Sequence, residues 1–183
     1  MAIVQGWWLD AHRYPSENCD ERPPGTDIDL VIIHSISLPP GEFGGPWIHA
    51  LFTNALDPYI HPYFKGIAAL RVSAHLLIRR TGEAFQYVPF HRRAWHAGVS
   101  SFEGRPKCND YSIGIELEGC DDKAYTDEQY RRLQEILGIL QIHYPKITPS
   151  RIVGHCHVAP GRKTDPGPLF QWERLNARSG MLP

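Results

Sequence analysis

The chain carries no concentration of charge of one sign. Nineteen Lys and Arg stand against twenty Asp and Glu, the formal net charge is -1, and there is no basic tail. Nucleic acid is thereby a poor partner, because phosphate binding needs a concentrated positive surface. No segment is long and apolar enough to span a bilayer, and the stretch Met1–Trp8 lacks the basic region and apolar run of a signal peptide. The reading is a cytoplasmic chain with no membrane partner. Four cysteines (Cys19, Cys108, Cys120 and Cys156) show no paired close spacing, so free thiols are expected and not a disulfide framework. There is no internal repeat, no low-complexity tract and no linker. At 183 residues the expectation is one domain over 1–183 with a single substantial core. With no apolar stripe left unassigned, a monomer is expected.

What is present is a set of short apolar runs punctuated by proline and glycine. Residues 1–27 read as an irregular lead-in, broken at Tyr14-Pro15 and Arg22-Pro23-Pro24-Gly25. Ile28–His34 is a β-branched apolar run, expected to be a buried strand that ends on a histidine. Leu38–Pro46 is a loop by composition, with the glycines and prolines of a lid, and Trp47–Leu56 reads as a short helix. Ser73–Arg79 and Glu83–Val88 flank Thr81-Gly82 as a hairpin. Ser112–Gly119 alternates apolar and polar, as a strand with two distinct faces. Thr126-Asp127-Glu128-Gln129 is a capping box, and Tyr130, Leu133, Leu137 and Leu140 follow at helical spacing. Ile152–His155 is a last short strand. Strands alternating with helices and long loops predict an α/β fold, a mixed central sheet flanked by helices.

The stretch Gly154–Pro168 holds two imidazoles, a lysine and a carboxylate between prolines and glycines. It is expected to be a rigid folded-back loop and not a helix. His34 and His155 each end a strand, and Asp165 lies on that loop. Were the strands neighbours, the three side chains would converge as two imidazoles and a carboxylate, leaving a fourth zinc position open. Such a metal lowers the pKa of bound water toward neutrality. Glu116, between Ile115 and Leu117, suits a general base of raised pKa. Glu118 shares its face and competes for that role. Lys163 is placed to offer positive charge to a developing oxyanion. His157, two residues from His155, competes with Asp165 as a ligand. His75 and His96 read as core or rim histidines, and Cys156 as core filling. On chemistry alone, a metal-assisted hydrolase stands beside a structural zinc site or no site.

Five segments carry a resemblance: Val31–Gly41, Arg71–His75, Arg93–Ser100, Ile113–Gly119 and Arg162–Pro168. In order, over about 23–172, they resemble the cytoplasmic 1,6-anhydro-N-acetylmuramyl-L-alanine amidases of Gram-negative bacteria, in the amidase_2 and peptidoglycan-recognition superfamily. The resemblance implies a zinc enzyme that cuts the amide between anhydro-N-acetylmuramic acid and the L-alanine of its stem peptide, in cell-wall recycling. It also implies an indirect link to β-lactamase regulation. By motif, the Zn2+ ligands fall on His34, His155 and Asp165, the base on Glu116 and the transition-state lysine on Lys163. Arg71 and Lys107 fall where peptide carboxylates are met, and Trp95 where a ring stacks on the sugar. Three departures stand out: Ser35 in place of Asn, His157 in place of Asp, and Lys107 where Arg is frequent. A lysine keeps the charge but loses the bidentate fork. Two other readings are a broader muramoyl-peptide amidase and a metal-free module that binds wall fragments.

Overall fold

The computed structural model describes residues 2–176. In chain order the strands are β1 (Ile3–Val4), β2 (Trp7–Trp8), β3 (His12–Arg13), β4 (Cys19–Asp20) and β5 (Leu30–Ile36). The short helix α1 (Trp47–Phe52) follows, then β6 (Leu76–Ile78), β7 (Ala84–Gln86), β8 (Arg93–Ala94), β9 (Ser101–Phe102) and β10 (Arg105–Pro106). The chain continues with β11 (Ser112–Glu118), the long helix α2 (Asp127–His143), β12 (Ile152–Gly154), α3 (His155–Val158) and α4 (Glu173–Asn176).

Six strands form the central sheet in the order β12-β5-β11-β6-β7-β3. β12, β5, β11 and β6 run parallel, while β7 returns antiparallel to β6 as the expected hairpin. The mixed sheet flanked by helices is thus the architecture expected of the sequence. Alternation along the two longest strands divides it into two faces. Val31 and Ile33 of β5 and Ile113, Ile115 and Leu117 of β11 pack on Tyr130, Leu133, Ile136, Leu137 and Leu140 of α2. The opposite face of β11 carries Ser112, Gly114, Glu116 and Glu118. It is covered too: every residue of β11 is buried, as a strand in the parallel part of a covered sheet requires.

Helix α2 starts where the capping box places it. Thr126 Oγ1 accepts from Gln129 N–H and Gln129 Oε1 accepts from Thr126 N–H. It stops at Tyr144, before Pro145. Two expectations fail. Residues 1–27 are not irregular: β3 closes one edge of the sheet beside β7, and Trp8 is fully buried in the core. Nor is Gly154–Pro168 free of helix, since His155–Val158 makes one helical turn. All four cysteines are free, as expected.

Candidate active site

The parallel register delivers the site. Glu116 on β11 lies directly beside His34 on β5, and Gly154 on β12 lies beside Ile33, so His155 emerges next to His34. Three adjacent strands therefore present their polar residues at their carboxyl ends, where open α/β sheets place ligands. Strand β5 runs on to Ile36, two residues beyond the expected end, because β11 continues beside it to Glu118. The turn α3 then folds the chain back. Cys156 N–H donates to Asp165 O at 2.9 Å, which returns Asp165 to the start of the turn.

His34 Nδ1 lies 3.0 Å from His155 Nδ1 and 3.2 Å from Asp165 Oδ2, and His155 Nδ1 lies 3.1 Å from that same oxygen. His155 Nε2 faces the carbonyl of Ala97 at 3.1 Å and donates to it, so that in the neutral ring Nδ1 presents a lone pair. Two imidazole nitrogens and a carboxylate oxygen thus aim at one point, with a lone-pair nitrogen among them. A divalent cation resolves that repulsion, and an N2O donor set suits zinc. Burial of His34 disfavours its charged form and lowers its pKa to about 4, leaving a neutral ring of the kind a metal needs. Burial pushes the Asp165 carboxyl up, but its hydrogen bonds to His155 and His34 prevail and hold it well below the usual carboxylate range. Glu116 sits beside this group with Oε2 buried and without a partner. Burial first, and the charge of Asp165 second, push its carboxyl well above the ordinary value, against the opposing charge of Lys163.

The sequence model of the amidase_2 family, N-acetylmuramoyl-L-alanine amidase, matches residues 24–168. This chain belongs to the amidase_2 family. It is 59% identical over 177 residues to the 1,6-anhydro-N-acetylmuramyl-L-alanine amidase AmpD of Citrobacter freundii, covering 97% of this chain and 94% of that one. A crystal structure of a selenomethionine derivative of AmpD superposes with a TM-score of 0.94 at 59% identity, covering 97% and 98% of the two chains. The Pseudomonas aeruginosa protein AmpDh3, in complex with anhydromuramic pentapeptide, is 30% identical with a TM-score of 0.61 and coverage of 85% and 61%.

Around the centre, this amidase_2 chain opens a cleft of about 600 Å³. His34, Glu116, His155, Asp165, Lys163 and Trp95 all line it. Lys163 is exposed at the mouth, and Trp95 is half-buried with Nε1 donating to Asp20 Oδ1 at 3.1 Å. Arg71 and Lys107 are exposed and lie outside the lining, although Arg71 stands between two lining residues, Leu70 and Val72. Ser35 lines the cleft beside His34.

Hydrogen bonding sets Glu118 apart from Glu116, and His157 apart from Asp165. Glu118 accepts from Arg79 Nη1 at 2.5 Å, from Gly44 N–H at 2.7 Å and from Arg80 N–H at 3.2 Å, so it staples the Leu38–Pro46 loop. Arg79 Nη2 adds a bond to Gly45 O at 2.9 Å. His157 lies on a helical turn instead of an extended run. It therefore turns away from His155, accepts from Gly154 N–H at 2.9 Å and packs on Trp172. Cys156, on the same turn, is half-buried near that packing and is not core filling. Sequence reading placed His96 only as a core or rim histidine, yet its Nδ1 lies 2.9 Å from His34 Nε2. The available signal was its own motif, Ala94-Trp95-His96-Ala97-Gly98, which puts a polar ring in a compact loop beside the sheet.

Proposed function

We propose that this chain is a zinc-dependent amidase that hydrolyses the bond between 1,6-anhydro-N-acetylmuramic acid and the L-alanine of the stem peptide. The observation that carries the reading is the convergence of His34, His155 and Asp165 beneath an unpartnered Glu116 at the floor of the cleft. High identity over nearly the full chain to curated 1,6-anhydro-N-acetylmuramyl-L-alanine amidases supports the substrate. His34, His155 and Asp165 would hold Zn2+, which when bound would supply Lewis acidity for amide hydrolysis.

The remaining chemistry belongs to the chain's own groups. Glu116 takes a proton from the attacking water as the water oxygen bonds the lactyl carbonyl carbon. It returns that proton to the alanine nitrogen as the C–N bond breaks. Its raised pKa suits both halves of the transfer. Lys163 brings positive charge to the carbonyl oxygen as negative charge develops there. Trp95 offers a ring face to the sugar, and Arg71 and Lys107 offer cations to the peptide carboxylates outside the cleft lining. The enzyme acts as a cytoplasmic monomer over a single domain, 1–183. Its role is cell-wall recycling, with the consequent influence on β-lactamase regulation. Among the described residues no helix is long and apolar enough to cross a membrane.

Mass-spectrometric product analysis tests this. Purified protein is incubated with anhydro-muramyl-peptide, with and without a zinc chelator, beside a reaction on intact sacculi. The expected result is free stem peptide from the anhydro substrate alone, lost on chelation. Release from sacculi as well makes it a broader wall amidase, and no release from either contradicts the reading.

A further inference from the structure

The two imidazoles of the metal site are gripped from outside by one dipeptide. His96 Nδ1 lies 2.9 Å from His34 Nε2, and the carbonyl of the next residue, Ala97, accepts from His155 Nε2 at 3.1 Å. A neutral ring that donates from its outer nitrogen has its rotation fixed and its inner Nδ1 left as the lone-pair nitrogen; at His34 this is the tautomer in which His96 Nδ1 accepts. The same carbonyl also accepts from Arg162 Nη2 at 2.7 Å, which pins it from the loop that carries Asp165. The His96 ring occupies space that only glycine permits at position 114: a Cβ there would fall 2.5 Å from ring atoms Cγ and Nδ1. Its Nε2 reaches Ser112 Oγ at 3.2 Å, on the same strand as Glu116.

Both backbone N–H groups of the dipeptide bond one side chain. Asn109 Oδ1 accepts from both His96 N–H, at 3.2 Å, and Ala97 N–H, at 2.8 Å. Both donors are backbone N–H groups, so the atom facing them is the amide oxygen. Asn109 is anchored in turn: Arg22 Nη1 donates to Asn109 O at 3.1 Å and to Asp110 O at 2.9 Å, while Arg22 Nη2 donates to Ser112 O at 2.8 Å. Asn109 does not line the cleft.

We infer that Asn109 is a positioning residue for the metal site, whose amide oxygen sets the His96–Ala97 dipeptide and through it the aim of both His34 and His155. The inference rests on the metal-dependent reading above. It separates a chemical requirement, an acceptor oxygen at position 109, from any particular residue there. Asn109→Ala removes the acceptor; Asn109→Asp keeps an oxygen at the same reach.

The test is zinc affinity, measured on the full chain by competition with a chromophoric chelator, with circular dichroism of the metal-free proteins as a check on folding. Asn109→Ala is expected to bind zinc about 10- to 100-fold more weakly than wild type, the range seen when such outer partners are lost. Asn109→Asp is expected to stay within about threefold. Equal affinity in wild type and Asn109→Ala would overturn the inference, as would equal weakening by both variants. Failure of the wild type to bind zinc would instead overturn the metal assignment itself, and this inference with it. Should Asn109→Ala not fold, NMR of zinc-loaded wild type decides. Two downfield Nε2–H resonances that exchange slowly with water support the inference, and fast exchange at either ring contradicts it.

Discussion

The two faces of strand β11 differ in what their residues are asked to do. Ile113, Ile115 and Leu117 meet the apolar stripe of α2, where contact is non-directional and any well-packed hydrophobe of suitable volume serves. One residue over, Ser112, Gly114 and Glu118 meet directed hydrogen-bond partners in His96, His75 and Arg79. The exception is Glu116 Oε2, buried without a partner. Alternation gives the strand an apolar face that packs on α2 and a polar face on which Glu116, the proposed base, stands two residues from Glu118, a carboxylate tied to Arg79.

That separation can be broken in order of expected effect. His34→Ala, on the polar side, should remove zinc and lower turnover by at least about 10³-fold, since the Lewis acid contributes several kcal/mol to the barrier. Zinc content and product release on the same preparation check it. Glu118→Ala lies on the same face but should act on stability, because it leaves the buried Arg79 guanidinium unpaired. A loss of about 3–5 kcal/mol is expected in denaturant unfolding, with the Leu38–Pro46 loop more open to proteolysis. Leu133→Ala, across the strand, should cost about 2–5 kcal/mol with zinc affinity and turnover per folded molecule unchanged. Equal losses of activity from Leu133→Ala and His34→Ala would erase the distinction.

Much of this was legible in the sequence because it is local. The capping box of α2, its stripe, the hairpin at Thr81-Gly82 and the polar ends of three short strands all announce themselves within a few residues. What stayed hidden depends on partners far along the chain. Two-residue strands such as β3 have no periodicity to read, so the lead-in passed as irregular. The turn His155–Val158 forms inside a stretch rich in breakers because Gly154 N–H bonds His157 and Cys156 N–H bonds Asp165, neither visible in composition. Glu116 and Glu118 share a face and differ in that Arg79, Gly44 and Arg80 reach only Glu118. The part played by His96 likewise depends on Gly114, eighteen residues on, leaving room for its ring.

In the proposed division of labour His34, His155 and Asp165 hold the metal and Glu116 moves the proton. Zinc stoichiometry of Glu116→Gln, measured beside cleavage of anhydro-muramyl-peptide, tests it most directly. The expected result is zinc bound as in wild type with turnover lowered about 10²- to 10⁴-fold, the usual contribution of a positioned general base. Loss of zinc in Glu116→Gln, or cleavage at the wild-type rate, would contradict it.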